Sequence, residues 1–252
     1  MPLKFDPAPV RQVERIDFDP DLSVMLGIPI HAHLPMMTVR SIIDTTRRLT
    51  QMGIKHEVLM HACNVVTLAR DGVMMRFLDS DYQKLFWIDS DMAWDEQAFF
   101  TMLALSQKVD VVTAAYPAKT EKDGTFFVNC DTNGKVGPYG LREINGTGLG
   151  FTIVDRAVCQ SLADRAPKVF DQLANREMAE VFRIDTSIVD GVRTRRTEDM
   201  AFFADIQELG YTVWCKPDVV LGHVGEKMWR ASLQQAFDEG TITAPPKPRK
   251  AA

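Results

Sequence analysis

The first half of the chain alternates short apolar runs with segments whose apolar residues recur at helical spacing. The apolar runs, which have the length of strands, occur at 22–31, 56–62, 84–88 and 109–117. The segments with the length and spacing of helices lie between them, at 38–53, 64–78 and 95–106. Strands that alternate with helices through short connections form an open, mainly parallel sheet with helices on both faces. The sequence therefore predicts an α/β fold.

The second half of the chain follows a different pattern. Residues 119–144 are rich in Gly, Asn, Asp and Thr, which favours hairpins and loops over another helix. A polar, arginine-rich insertion at 163–196 precedes a helix that begins at Glu198. Further strands are predicted at 151–154, 211–216 and 219–225. We expect one domain at 22–240, with an irregular arm before it and a disordered tail at 241–252.

Composition excludes some classes of function. Lys and Arg number 29 against 34 Asp and Glu, and a formal net charge of -5 argues against binding nucleic acid through its phosphates. The four cysteines form no CxxC pair, so reduced thiols are expected. The start of the chain lacks the apolar core of a signal peptide, and no apolar run approaches the roughly 20 residues of a membrane span. We therefore expect a cytoplasmic protein.

Two aspartates, Asp89 and Asp91, directly follow the third apolar run. In an extended segment residues i and i+2 point to the same side, so both carboxylates can face one ligand at the edge where open α/β sheets bind ligands. Oxygen ligands in this arrangement suit Mg²⁺ or Mn²⁺ bridging phosphates. In the alternative interpretation Asp89 binds a neighbouring helix N-terminus while Asp91 is solvated.

The acid pair Glu198 and Asp199 opens a predicted helix. The residues at i+3, i+4 and i+7 from Asp199 are apolar, so this carboxylate lies on the inward stripe, whereas Glu198 lies nearer the boundary. Asp199 is therefore the better candidate for a general base. Alternatively, both acids complement the helix dipole behind a Thr197 cap.

Four more residues have both a functional and a structural interpretation. Arg70 falls on the apolar stripe of its helix and needs an anionic partner, either a nucleotide or diphosphate or a buried aspartate. His223 follows an apolar run and is either a metal ligand or a packed structural histidine. Gly148 and Gly150 leave room for a sugar or an acceptor, although a β-bulge would use them too.

Four motifs occur in the order seen in nucleotide-sugar glycosyltransferases of the GT-A fold. They are the Asp89-Ser90-Asp91 triplet after "LFWI", the "GTGLGF" strand, the "TED" that opens a helix, and "LGHVG" near the end. From about Val24 to His223 the chain resembles the broad family-two type of these enzymes. In that family the DxD carboxylates hold a divalent cation and the ribose, a late histidine completes the metal site, and the TED aspartate is the base of inverting members.

The resemblance implies a metal-dependent glycosyltransferase that moves a sugar from a nucleoside-diphosphate donor to a hydroxyl acceptor such as a glycan. It implies a nucleotide-binding half at 22–117 and an acceptor and catalytic half at 118–240 with a smaller antiparallel subdomain. The expected cofactor is Mn²⁺ or Mg²⁺, and the donor is a UDP-sugar or a GDP-sugar. The implied site comprises catalytic Asp199 with Glu198, nucleotide-binding Pro29, Asn64, Arg70 and Asp89, metal-binding Asp89, Asp91 and His223, and sugar-contacting Gly148, Leu149, Gly150 and Trp229.

The chain also departs from the family pattern. The QxxRW box of processive synthases is absent after His223, so processive synthesis is not expected. No acidic residue directly follows the first strand, which leaves the base of the nucleotide open. Two alternatives are a carbohydrate-binding or assembly protein on a degenerate transferase scaffold, and a DxD phosphohydrolase of the haloacid dehalogenase type. The latter would have Thr or Val where Ala93 stands.

Overall fold

The computed structural model describes residues 17–120, 124–130, 135–172, 174–189 and 191–240. The helices of this part are α1 (Met36–Gln51), α2 (Val66–Leu78), α3 (Glu96–Leu105), α4 (Arg156–Arg165), α5 (Glu198–Glu208) and α6 (Leu233–Asp238). The strands of the central sheet are β1 (Ser23–Ile30), β2 (Lys55–Ala62), β3 (Lys84–Ile88), β5 (Val111–Thr113), β6 (Arg142–Glu143), β7 (Phe151–Asp155) and β12 (Trp214–Cys215).

Three smaller antiparallel sheets accompany the central one. One combines β4 (Met92–Ala93), β13 (Val220–Val224) and β14 (Met228–Ser232). The other two are hairpins, β8 (Lys168–Asp171) with β9 (Arg176–Ala179) and β10 (Asp185–Val189) with β11 (Val192–Arg196).

The central sheet has the order β2-β1-β3-β7-β5-β12-β6. β1 pairs in parallel with β2 and β3, and β5 pairs in parallel with β12. β7 is inserted antiparallel between β3 and β5, and β6 is antiparallel to β12 at the edge. Five of these strands therefore run one way and two run the other. The predicted fold class, α/β with a mainly parallel sheet, is confirmed.

Helices cover both faces of the central sheet. On one face Leu26 and Ile28 of β1 belong to a core cluster with residues of α1 and α3. On the other face Met25 belongs to a second cluster with residues of α2, α4, α5 and α6. α2 packs closely on the sheet at Gly27, where an added Cβ would lie 2.5 Å from Val73 Cγ1. The helices therefore pack on the alternate sides of β1, as the sequence pattern predicts.

Some elements differ from the prediction. The insertion at 163–196, for which no strand was predicted, contains both hairpins. The fourth apolar run, predicted as a strand over 109–117, forms strand β5 only at Val111–Thr113, and Pro117 makes an isolated antiparallel bridge with Phe126. Most of the predicted arm at 1–21 and the whole tail at 241–252 lie outside the described residues. Within the described part, no helix has the length and apolarity needed to cross a membrane.

Candidate functional site

The site forms where three parallel strands end side by side. β1, β2 and β3 are neighbours in the sheet, so their carboxyl ends meet at one edge. A cavity of about 330 Å³ opens there. Its wall includes eight of the predicted site residues, namely Pro29, Asn64, Arg70, Asp89, Asp91, Glu198, Asp199 and His223. Arg70 and the two acids of α5, which are 128 and 129 positions apart in the sequence, therefore meet at one place.

Arg70 is the centre of this cavity wall. Its side chain is only 3% exposed, and its Nη2 lies 3.2 Å from Asp89 Oδ1. Its Nη1 lies 3.3 Å from Glu198 Oε1 and also contacts Asp199 Oδ1. The prediction that this inward arginine has an anionic partner is confirmed, and the partners are protein carboxylates. A direct contact between Arg70 and a nucleotide stays a prediction.

The charges around Arg70 are unevenly matched, because one guanidinium faces three carboxylates. Burial by itself would lower the pKa of Arg70, but the three carboxylates raise it above its ordinary value, so the side chain stays charged. Burial raises the pKa of Asp199 to about 6, Arg70 opposes this shift, and the nearby Asp89 and Glu198 add to it. Asp199 therefore exchanges its proton near neutral pH.

The carboxylate of Asp89 is held at both oxygens. Oδ1 accepts from Arg70, and Oδ2 accepts from the Tyr116 hydroxyl at 3.0 Å. Burial raises the pKa of Tyr116 well above its ordinary value, and the charge of Asp89 raises it further, so Tyr116 remains a donor. In the structure the Asp89 carboxylate therefore binds Arg70 and Tyr116 rather than a helix N-terminus.

Two glycines make room for these side chains. A methyl group at Gly150 would overlap the Asp89 carboxylate, and one at Gly148 would overlap the Tyr116 hydroxyl. The absence of a side chain at these two positions therefore accommodates the Tyr116 hydroxyl and the Asp89 carboxylate. A sugar contact at either glycine stays a prediction.

Asp91 is joined to His223 across the small antiparallel sheet. His223 pairs with Met92 in the β4–β13 ladder, and its Nε2 lies 3.4 Å from Asp91 Oδ2. Lys119 Nζ lies 2.5 Å from the same oxygen. Burial by itself would raise the pKa of Asp91, but the hydrogen bonds from His223 and Lys119 lower it below its ordinary value. Asp91 is therefore ionised throughout the neutral range.

The Asp91 and His223 pair fits two positions of a divalent metal site. His223 Nδ1 lies 2.9 Å from the Pro117 carbonyl oxygen, which can only accept, so Nδ1 carries a hydrogen. A metal bound at Nε2 would replace the contact that this nitrogen makes with Asp91. Metal-binding histidines are commonly fixed in this way through the second ring nitrogen. Neighbouring ligands of an octahedral ion lie about 3 Å apart when its bonds are about 2.1 Å long, close to the separation seen here.

The third predicted ligand, Asp89, points elsewhere, toward Arg70 and Tyr116. Among the described residues no group of three or more His, Cys, Asp or Glu side chains is arranged to hold a metal ion. The protein therefore presents a two-residue site that a metal could occupy together with phosphate and water oxygens, as is usual for Mg²⁺ at phosphate sites.

The remaining predicted contacts lie away from the cavity wall. Leu149 is 1% exposed and belongs to the core. The Trp229 indole donates to the Thr120 carbonyl oxygen at 2.8 Å, and the Lys227 ammonium lies 5.1 Å from the centre of its ring. Thr197 precedes α5 without a side-chain capping bond. The apolar side chain of Leu149 therefore packs in the core, and the predicted sugar contacts of Leu149 and Trp229 stay predictions.

Sequence reasoning missed Tyr116 and Lys119, which hold Asp89 and Asp91 respectively. Both follow strand β5, which runs in the same direction as β3 and ends at the same edge of the sheet. A search for polar side chains at and just beyond the carboxyl end of every predicted strand would have included both.

No family model matches the chain, and no curated protein matches its sequence. Its fold is similar to that in the crystal structure of A197 from STIV, with a TM-score of 0.50 and 19% identity, covering 84% of this chain and 91% of that one. A second similar structure is GalNAc-T7 with UDP, GalNAc and Mn²⁺, at a TM-score of 0.46 and 10% identity, covering 82% of this chain and 44% of that one. The likeness to A197 concerns the fold alone, and the family-two subtype stays a prediction.

Proposed function

We propose that this protein is a metal-dependent glycosyltransferase that moves a sugar from a nucleoside-diphosphate donor to a hydroxyl acceptor. The proposal rests on one observation. The Asp91 and His223 pair, the Arg70-bound Asp89 and the acid pair of α5 all line one cavity at the carboxyl edge of the sheet. A metal site beside a candidate general base is what transfer from a nucleotide sugar to a hydroxyl requires.

The donor diphosphate is assigned to the side of the cavity formed by Asp91 and His223, where Lys119 also contacts Asp91. Asp91 and His223 would hold Mn²⁺ or Mg²⁺ there, and Asp89 lines the same cavity. When bound, the ion would offset the charge that develops on the leaving diphosphate. Pro29 and Asn64, which line the same cavity, are assigned to the nucleoside of a UDP-sugar or GDP-sugar.

Asp199 is assigned as the general base that takes the proton of the acceptor hydroxyl. Its pKa, raised to about 6 by burial, makes it a stronger base than an ordinary aspartate while it remains mostly ionised at neutral pH. Glu198 is the second choice, and the exposed fractions of the two side chains, 16% for Glu198 and 19% for Asp199, do not separate them. Arg70 contacts both acids and would hold them in place.

The alternative of a DxD phosphohydrolase finds no support at Asp89. In that reaction the first aspartate attacks phosphorus and needs a free oxygen. Both oxygens of Asp89 accept hydrogen bonds from buried donors, Arg70 and Tyr116. A carbohydrate-binding protein on the same scaffold would bind sugar without breaking the bond between the sugar and the diphosphate, so turnover separates it from the proposed enzyme.

The test is the release of nucleoside diphosphate from a panel of UDP-sugars and GDP-sugars, with Mn²⁺, with Mg²⁺ and with chelator. Water serves as the acceptor, because its use does not require the natural acceptor to be known. We expect release with one donor and only with a divalent ion, and we expect Asp91→Asn to abolish it. The matched control is Asp164→Asn, which changes an exposed aspartate on α4 that accepts a hydrogen bond from Gln160. Donor binding without release under every condition would favour the carbohydrate-binding alternative.

A further inference from the structure

The hairpin of β10 and β11 carries an ion-pair network on its inward face and exposed isoleucines beside arginines on its outward face. The inward network joins Asp185 and Arg196 of the hairpin with Arg183, which precedes β10 and reaches Asp205 on α5 at 2.9 Å. Arg196 binds Asp185 through two bonds of 2.7 and 2.6 Å. A hairpin that faced only water and the protein core would be expected to have its isoleucines toward the core and its charged side chains toward water.

The outward face is both apolar and cationic. Ile184 and Ile188 are 62% and 69% exposed. The strand pairing sets Ile188 opposite Arg193 and Thr186 opposite Arg195, so these side chains share one face. We call this set, Ile184, Thr186, Ile188, Arg193 and Arg195, the outer face of the hairpin.

The arginines of the outer face are not neutralised by the protein. Both are exposed, and Arg193 bonds the Thr186 hydroxyl at 3.2 Å. Within the described part of the chain no carboxylate lies at salt-bridge distance from Arg193 or Arg195, whereas Arg183 and Arg196 on the inward face both have one. The outer face is thus a local cationic surface on a chain whose formal net charge is -5.

We infer that the outer face binds the surface of a lipid bilayer that contains anionic lipids. Arginines beside exposed isoleucines match an interface that offers anionic headgroups and, directly below them, acyl chains. Nucleic acid would satisfy the arginines but would leave the isoleucines in water, and a purely apolar partner would leave the arginines uncompensated. The inference concerns binding alone and does not depend on the proposed transfer reaction.

The hairpin lies next to the acids of the cavity wall along the chain. β11 ends at Arg196, and Asp199 of the cavity wall follows three residues later. The base of the hairpin therefore lies at the same end of α5 as the cavity. The outer face and the acids of the cavity wall are therefore joined by a short stretch of chain.

The test is sedimentation of the full chain with vesicles of phosphatidylcholine, alone or mixed with phosphatidylglycerol. We expect binding to the mixed vesicles that weakens as salt is added, and little binding to phosphatidylcholine alone. Arg193→Ala/Arg195→Ala should weaken binding by about 10- to 30-fold, and Ile184→Ser/Ile188→Ser should weaken it without removing its salt dependence. Unfolding by urea checks that each variant is folded.

Two control variants match these changes elsewhere. Val169→Ser/Phe170→Ser removes exposed apolar residues from the hairpin of β8 and β9, where Phe170 pairs with the acidic Glu177. Arg48→Ala/Arg76→Ala removes exposed arginines from α1 and α2. Both should bind like the parent chain.

Three results would overturn the inference. The first is failure of the parent to bind mixed vesicles, whether or not it binds an RNA or DNA oligonucleotide. The second is an equal loss of binding in the control variants. The third is a dimer of the parent, detected by sedimentation velocity, that the outer-face variants disrupt while vesicle binding is unchanged, because the partner of the face would then be a second copy of the chain.

Discussion

Replacing Arg70 by methionine tests the charge balance at the centre of the site. Methionine keeps much of the apolar stem but leaves Asp89, Glu198 and Asp199 without the guanidinium. Removing one partner of a buried ion pair costs about 3 to 5 kcal/mol. The three carboxylates are 25%, 16% and 19% exposed, so water reaches them and we expect the lower end, about 3 kcal/mol near neutral pH.

The loss caused by Arg70→Met should depend on pH in a defined direction. The pKa of Asp199 is already raised to about 6 with Arg70 present, and without it the pKa rises further. A carboxyl group whose pKa is higher in the folded than in the unfolded state binds protons on folding, so the variant regains stability as pH falls. Urea unfolding at about pH 5 and about pH 8 measures the difference.

A second variant makes the test of Arg70 sharper. Arg70→Met/Asp199→Asn removes one of the uncompensated charges and should be more stable at about pH 8 than Arg70→Met alone. If Arg70→Met lowers the free energy of unfolding by less than about 1 kcal/mol, which is the range of exposed ion pairs, Arg70 does not act as a buried counter-charge. A loss of equal size at both pH values would also refute that role.

Four other changes have expected outcomes. Burial raises the pKa of Asp71 to about 7. Ionised Asp71 therefore lowers the free energy of unfolding. This loss begins above the pKa that Asp71 has in the unfolded chain and is complete above about pH 7. Asp71→Asn keeps the oxygen that accepts two backbone N–H groups and should stabilise the protein at about pH 8 by up to about 4 kcal/mol, but not at low pH, as measured by urea unfolding. Gly148→Ala should cost about 1 to 3 kcal/mol because its methyl group overlaps the Tyr116 hydroxyl, and Tyr116→Phe in that background should restore part of the loss. Asp199→Asn should leave donor binding intact and lower transfer by about 10² to 10⁴, and the parent rate should fall below about pH 6, where Asp199 is protonated. His223→Ala should narrow the preference for Mn²⁺ over Mg²⁺ in metal titrations with nucleotide; a large loss of stability with unchanged preference would make His223 structural.

The part of the fold that follows from local pattern was predictable. The alternation of strands and helices over the first 117 residues gave the parallel strands β1, β2 and β3, and with them the edge at which Asp89 and Asp91 lie. The inward position of Arg70 also followed from helical periodicity, because a charged residue on an apolar stripe must meet a counter-charge.

The parts that depend on contacts distant in sequence were not predictable. The antiparallel insertion of β7 between β3 and β5 is a matter of sheet order, which the strand pattern does not encode. Gly148 and Gly150 are needed because the side chains of Tyr116 and Asp89 lie against them in the folded structure, and this contact cannot be read from the local sequence. The hairpin of β10 and β11 carries charged residues on both faces, so its strands lack the apolar alternation that predicts a half-buried strand.

The central claim is that the cavity binds a nucleoside diphosphate through a divalent ion held by Asp91 and His223. Calorimetric titration of UDP and of GDP into the protein, with Mn²⁺, with Mg²⁺ and with chelator, tests it most directly. We predict that one nucleotide binds only when a divalent ion is present, more tightly with Mn²⁺, and that Asp91→Asn loses the metal-dependent part while Asp164→Asn keeps it. Binding of equal strength with chelator, or binding that Asp91→Asn leaves unchanged, would contradict the account.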